Sequence, residues 1–217
     1  MTHDLFSMSQ RLRLTFAKTD AMRFTGHLDL HHTWERTFRR AGLPLAYSQG
    51  FNPHPRLNLA SALPLGFTSE CEVIDVWLEQ EMSPDQVKAA LRPALPPGLL
   101  LLDIQAVDAH KPALQSELES SEFNLTLLEA CPDLEERCQA ALRATSLPRR
   151  RRDKDYDLRP LILRLQALPA DDEGRQRLLL RLAAREGATG RPEEVMAVLG
   201  FHPEAVRTHR TQLVFKG

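Results

Sequence analysis

Apolar and polar residues alternate over Arg11–Lys18, with Leu12, Leu14 and Phe16 on one face. That two-residue period predicts a half-buried strand. The period then changes. Leu28, Leu30, Trp34, Phe38 and Ala41 recur at helical spacing, and Gly42 followed by Pro44 marks a stop. A helix over His27–Ala41 is expected. Leu43–Gln49 reads as a short extended segment, and GFNPHP, with one Gly and two Pro, as a structured loop. Leu57–Gly66 alternates again, with Pro64 limiting it to an edge. Cys71–Glu79 reads as a clear strand. Ser83 can cap a helix that has Pro84 at its first position and Val87, Leu91 and Leu95 inside. Pro96–Gly98 ends it, and Leu99–Val107 returns as a strand.

The order is β-α-β-β-α-β, the ferredoxin-like arrangement. After a polar stretch at Asp108–Ser121, read as a linker, the same order recurs. Phe123–Ala130 is a strand and Leu134–Ala144 a helix. Leu158–Leu168 and Arg175–Ala184 form a hairpin, Arg191–Leu199 a short helix, and Val206–Phe215 the last strand. The expected fold class is α+β: two tandem ferredoxin-like halves with antiparallel sheets, residues 1–110 and 111–217. One continuous α+β domain with a larger sheet is the alternative.

Composition narrows the function classes. The 217 residues are 42% hydrophobic and 26% charged, ordinary globular proportions that argue against disorder or coiled coil. Three cysteines without a CxxC cannot supply the usual cluster ligation, and no flavin, nicotinamide or phosphate-loop motif is present, so no cofactor is expected. No apolar run approaches the length of a membrane helix and no secretory signal is visible, so the expectation is a cytoplasmic protein without a membrane partner. The net charge of -1 conceals segregation. Residues 11–58 hold eight Lys/Arg against three Asp/Glu, residues 69–108 two against eight, and residues 143–164 eight against three. Such blocks can form separate basic and acidic faces.

Three clusters could carry chemistry. MRFTGHLDLHH at Met22–His32 places His27, Asp29, His31 and His32 in or beside the first two helical turns. His27 and His31 are four apart and would share a face, with His54 as a third metal ligand. The alternative leaves the histidines in solvent, with Asp29 stabilising the positive helix N-terminus; it is favoured because no diagnostic ligand spacing supports metal. YSQGFNPHP at Tyr47–Pro55 combines Tyr47 and Phe51 as stacking surfaces with Gln49, Asn52 and His54 as hydrogen-bonding side chains. That composition suits a planar ligand such as a nucleobase, with Arg23 nearby in sequence. A purely structural loop fits equally well. PRRRRDKDYDLR at Pro148–Arg159 offers Arg149, Arg150, Arg151, Arg152, Lys154 and Arg159 to phosphates, and a solvated charged tip is the competing reading.

Taken together, R-F-x-G-H-L-D at Arg23–Asp29, R-R-A-G-L-P at Arg39–Pro44, Y-S-Q-G-F-N-P-H-P at Tyr47–Pro55 and A-L-P-L-G at Ala62–Gly66 resemble the radical SAM-associated domain family. These bacterial domains occur alone or C-terminal to cobalamin-binding radical SAM proteins. The likeness extends more weakly to D-x-R-P at Asp157–Pro160. It implies a radical SAM protein as partner. The radical SAM cysteine triad is absent, so this chain is not expected to carry that chemistry itself. Two expectations follow. One is a non-catalytic accessory module that presents RNA or another substrate to the partner. The other is an enzyme acting on RNA with His27, Asp29 and His54 as acid–base or metal-binding groups.

Overall fold

The computed structural model describes residues 9–151 and 153–216. The chain divides into two compact units. The first comprises the residues up to Leu65 plus Cys71–Gln115, and the second Gly66–Glu70 plus Ser116–Gly217.

The first unit contains β1 (Gln10–Lys18), α1 (His27–Arg40), β2 (Leu57–Leu59), most of β3 (Thr68–Leu78), α2 (Pro84–Leu91) and β4 (Leu99–Val107). Its strands lie in the order β4-β1-β3-β2. β1 pairs antiparallel with β4 across a bulge at Thr15/Phe16, and β2 pairs antiparallel with β3. This is the ferredoxin-like order expected from the alternation of periods. Leu12, Leu14 and Phe16 of β1 are fully buried, as are Trp34 and Phe38 of α1 and Val76 and Leu78 of β3. Both helices end as their sequences dictate. Gly42, at φ 68, follows α1, and the amides of Gly42 and Leu43 return to the carbonyls of Arg39 and Phe38. At α2, Ser83 and Gln86 cap each other reciprocally.

The second unit begins with a four-residue helix, α3 (Leu114–Glu117), that straddles the division. It continues through β5 (Leu118–Leu127), α4 (Leu134–Arg143), β6 (Pro148–Arg151), β7 (Lys154–Asp157), β8 (Ile162–Leu168), β9 (Arg177–Arg185), β10 (Ala188–Thr189), α5 (Pro192–Val198) and β11 (Val206–Phe215). The order β11-β5-β9-β8 repeats that of the first unit, and all three pairings are antiparallel. β10 adds two residues beside β9, and β11 also pairs in parallel with Thr68 and Ser69 at the start of β3.

Several local expectations shift. The stretch read as a linker holds α3 and the first residues of β5, because Leu114 and Leu118 are buried and anchor it. The Leu57–Gly66 strand shortens to three residues. β3 starts at Thr68 rather than Cys71. Leu28, expected inside α1, is exposed, and so is its neighbour Phe24. The arginine run forms a hairpin, β6 with β7.

Charged side chains also enter the interior. Asp75 of β3, wholly buried, receives Arg11 Nε at 2.9 Å and Arg13 Nε at 2.9 Å. Arg11 also donates to the carbonyls of Lys111 and Pro112 at 2.7 and 3.0 Å. The guanidinium groups of Arg11 and Arg56 lie 5.0 and 4.9 Å from the Trp77 ring centroid. Among the described residues no helix is long and apolar enough to cross a membrane.

Candidate functional site

The turn that leads into α1 is held from beneath. Lys18, fully buried at the end of β1, donates from Nζ to the carbonyls of Thr25 at 2.8 Å and Arg23 at 3.3 Å. Thr19 N binds the Gly98 carbonyl at 2.9 Å. Gly98, at φ 95, sits so close to this turn that a Cβ there would fall 2.4 Å from Met22 Cγ. The backbone of Arg23–Thr25 is thereby fixed, while Phe24 and Leu28 stand in solvent. The Arg23 guanidinium lies 5.3 Å from the Phe24 ring centroid. His27 is the first residue of α1 and is half-buried; Asp29 is exposed in the same turn.

The Tyr47–Pro55 loop is closed at its base by backbone bonds. Arg56 N binds the Ala46 carbonyl at 2.8 Å, Tyr47 bridges Pro55, and Ser48 N binds the His54 carbonyl at 2.8 Å. His54 N returns to Ser48 Oγ at 3.1 Å. Ala46 is tied in turn to β3 through the Trp77 carbonyl. The tip, Gln49–Pro53, is wholly exposed, with Gly50 at φ 131 making the turn. Phe51 is fully exposed at the tip, Tyr47 partly so, and Gln49, Asn52 and His54 are exposed. A buried aromatic anchor, the expectation for a structural loop, is not what Phe51 provides.

In the second unit the basic residues separate into two groups. Arg159 donates from Nε and a terminal nitrogen to the Leu142 carbonyl at 3.0 and 2.9 Å, which satisfies the last turn of α4. Arg151 is held by Glu194 at 2.9 Å and lies over the Tyr156 ring at 5.0 Å. Their guanidinium groups serve the fold. Arg150 and Lys154 are exposed, and Arg149 is partly so with one bond to the Pro148 carbonyl. Arg150 approaches Asp155 only to 3.9 Å, with both side chains largely in water, where such pairs contribute little. Asp153 and Asp155 share this hairpin, so its positive field is smaller than the arginine run implies. Arg152 lies outside the described residues.

Asp157 positions the hairpin. Its Oδ1 accepts the amides of Leu147 at 2.7 Å and Arg159 at 2.9 Å. These two backbone bonds, Leu147 first, pull its carboxyl below the usual carboxylate range. A depressed folded pKa means the charged form contributes stability above the unfolded pKa. That contribution is lost as pH falls through the folded value. Urea unfolding followed from pH 6 downwards is expected to show the wild type losing stability below about pH 4 more steeply than Asp157→Asn. Parallel curves would contradict this role.

Neither Cys131 nor Cys138 is an activated thiol. Burial pushes Cys138 up to about 11, and burial followed by the hydrogen bond to Asp133 also raises Cys131. Of His27, His31 and His54, considered as metal ligands, His27 is half-buried at the start of α1, His31 turns towards Glu35 together with its neighbour His32, and His54 sits in the exposed loop.

A family model described as "Uncharacterized protein conserved in bacteria (DUF2344)" matches residues 11–192. The chain belongs to the DUF2344 family. The match runs from β1 to the first residue of α5, so both units are part of what defines DUF2344. No curated protein matches the chain in sequence. Among solved structures, it is similar to a chain of a Cbf5-Nop10-Gar1 complex, with TM-score 0.49, 8% identity, and coverage of 93% of this chain and 48% of that one. It is also similar to a chain of the archaeal box H/ACA sRNP Nop10-Cbf5 complex, with TM-score 0.44, 11% identity, and coverage of 94% and 49%. The DUF2344 chain thus spans about half the length of these two structural relatives.

Proposed function

We propose that this DUF2344 protein is a non-catalytic accessory module that presents RNA to a radical SAM partner. The observation that carries the reading is Phe51. A fully exposed aromatic ring on a loop whose base is fixed by backbone bonds is a preorganised stacking surface. Gln49, Asn52 and His54 on the same loop supply donors and acceptors for a base edge. Arg149, Arg150 and Lys154 add a second, weaker contact to phosphates in their own unit. The radical SAM partner follows from the resemblance of the Arg23–Asp29, Arg39–Pro44 and Tyr47–Pro55 segments. Asp29 and His54 are both exposed, which suits recognition better than acid–base catalysis in a water-excluding site.

Fluorescence anisotropy of a labelled single-stranded RNA tests this reading. Replacing Arg149, Arg150 and Lys154 together by Ser is expected to reduce the slope of log affinity against log salt by about 2. That corresponds to about 0.7 for each lost phosphate contact. The weakening is expected to be similar across sequences, because these contacts read charge. An unchanged slope would remove the hairpin from the interface.

A further inference from the structure

We propose that His31, His32 and Glu35 of α1 form a binding site for a divalent transition-metal ion of the zinc type. One ligand atom from each residue lies within 4.8 Å of the other two. His31 Nδ1 is 3.7 Å from Glu35 Oε1, and His32 Nδ1 is 3.2 Å from Glu35 Oε2. Zinc holds imidazole nitrogen and carboxylate oxygen at about 2.0–2.2 Å, so the edge of a tetrahedral site is about 3.4 Å. Both nitrogen–oxygen separations are close to that edge, and an ion would replace the present His32 Nδ1 to Glu35 Oε2 hydrogen bond.

The helix explains why these three residues meet. At about 100° per residue, Glu35 projects about 40° from His31 on one side and about 60° from His32 on the other. A carboxylate one turn on from two adjacent histidines therefore lies between them. Leu30, Thr33, Trp34, Thr37 and Phe38 point inward and fix the helix, so the three ligands sit on a rigid element. Their exposure is graded: the side chains are 12% exposed for Glu35, 30% for His31 and 60% for His32. The carboxylate is thus shielded while the imidazoles stay accessible to an incoming ion. Arg36, the adjacent cation, donates to Thr33 Oγ1 at 3.3 Å. Two imidazoles and one carboxylate are a borderline donor set that suits Zn²⁺ over Mg²⁺ or Ca²⁺, and three protein ligands leave a fourth position for water or a partner's side chain.

Isothermal titration of the full chain with Zn²⁺ tests the site, with circular dichroism checking the fold of each variant. One ion per chain is expected. His31→Ala, His32→Ala and Glu35→Gln are each expected to weaken binding by at least about tenfold, the lower end of what even a supporting residue costs. His110→Ala and His202→Ala, at exposed histidines elsewhere, are expected to leave it unchanged. Should His31→Ala not fold, the more exposed His32→Ala carries the comparison. Binding that survives His32→Ala, absence of saturable binding, or tighter binding of Mg²⁺ than Zn²⁺ would overturn the proposal and leave Glu35 as a simple ion-pair partner of the two histidines.

Discussion

Replacing Asp75 by Ala is expected to cost about 3–5 kcal/mol, measured as a shift of the urea unfolding midpoint. The magnitude follows from what is left behind. Asp75 is fully buried, and so is Arg11, whose guanidinium spends two nitrogens on Asp75 and two bonds on the carbonyls of Lys111 and Pro112. Arg13 also donates to both Asp75 oxygens, at 2.9 and 3.1 Å. Without the carboxylate, a buried cation stays in a low-dielectric interior with its attraction gone. The triple replacement Arg11→Met, Arg13→Met and Asp75→Leu is expected to recover most of the loss, because a buried ion cluster often breaks even against apolar residues of similar volume. A loss below about 1 kcal/mol for Asp75→Ala would mean that water reaches the cluster and screens it.

Trp34→Ala is expected to be comparably damaging, at about 3–5 kcal/mol. The ring is fully buried, 4.8 Å from Phe16 in an edge-on arrangement and 5.1 Å from Phe38 in a stacked one. It joins β1 to α1, so its removal leaves a cavity where helix meets sheet. Trp34→Phe is the informative control. Trp34 Nε1 is buried with no hydrogen-bond partner among the described residues, so phenylalanine forfeits area but no bond. Its cost is expected to be below about 1.5 kcal/mol. Equal losses for the two variants would contradict this expectation.

The fold was legible where burial imposes a period. Leu12, Leu14 and Phe16, and then Leu30, Trp34 and Phe38, name one strand and one helix whose faces match the observed core. Repetition of that sequence of periods made the two ferredoxin-like halves readable. Long-range pairing was hidden. Arg11 and Arg13 occupy the polar phase of a strand, which reads as a solvent face; a carboxylate 64 residues away from Arg11 draws both inward. The signal available was Asp75 itself, the one acid within the apolar stretch VIDVWL at Val73–Leu78. Lys18 misleads in the same way, since a terminal lysine on a strand usually lies in water and this one caps two carbonyls of the next turn. At the candidate site, composition singled out the Tyr47–Pro55 loop but not its presentation, which depends on pairing between residues 46 and 56 and between Ala46 and Trp77. Arg159 shows the limit of reading charge from sequence. It stands in a basic run but its fork is directed at the end of a helix.

The most direct test of the accessory-module reading is the affinity of the full chain for single-stranded RNA with Phe51 intact and replaced. At about 50 mM salt the wild type is expected to bind with a Kd of about 100 μM or tighter. Phe51→Ala is expected to lose about 5- to 150-fold, the equivalent of about 1–3 kcal/mol for one stacked base, while Phe51→Trp retains binding. Wild-type binding no tighter than about 1 mM, or binding that Phe51→Ala leaves within about twofold, would contradict the account and take RNA out of it.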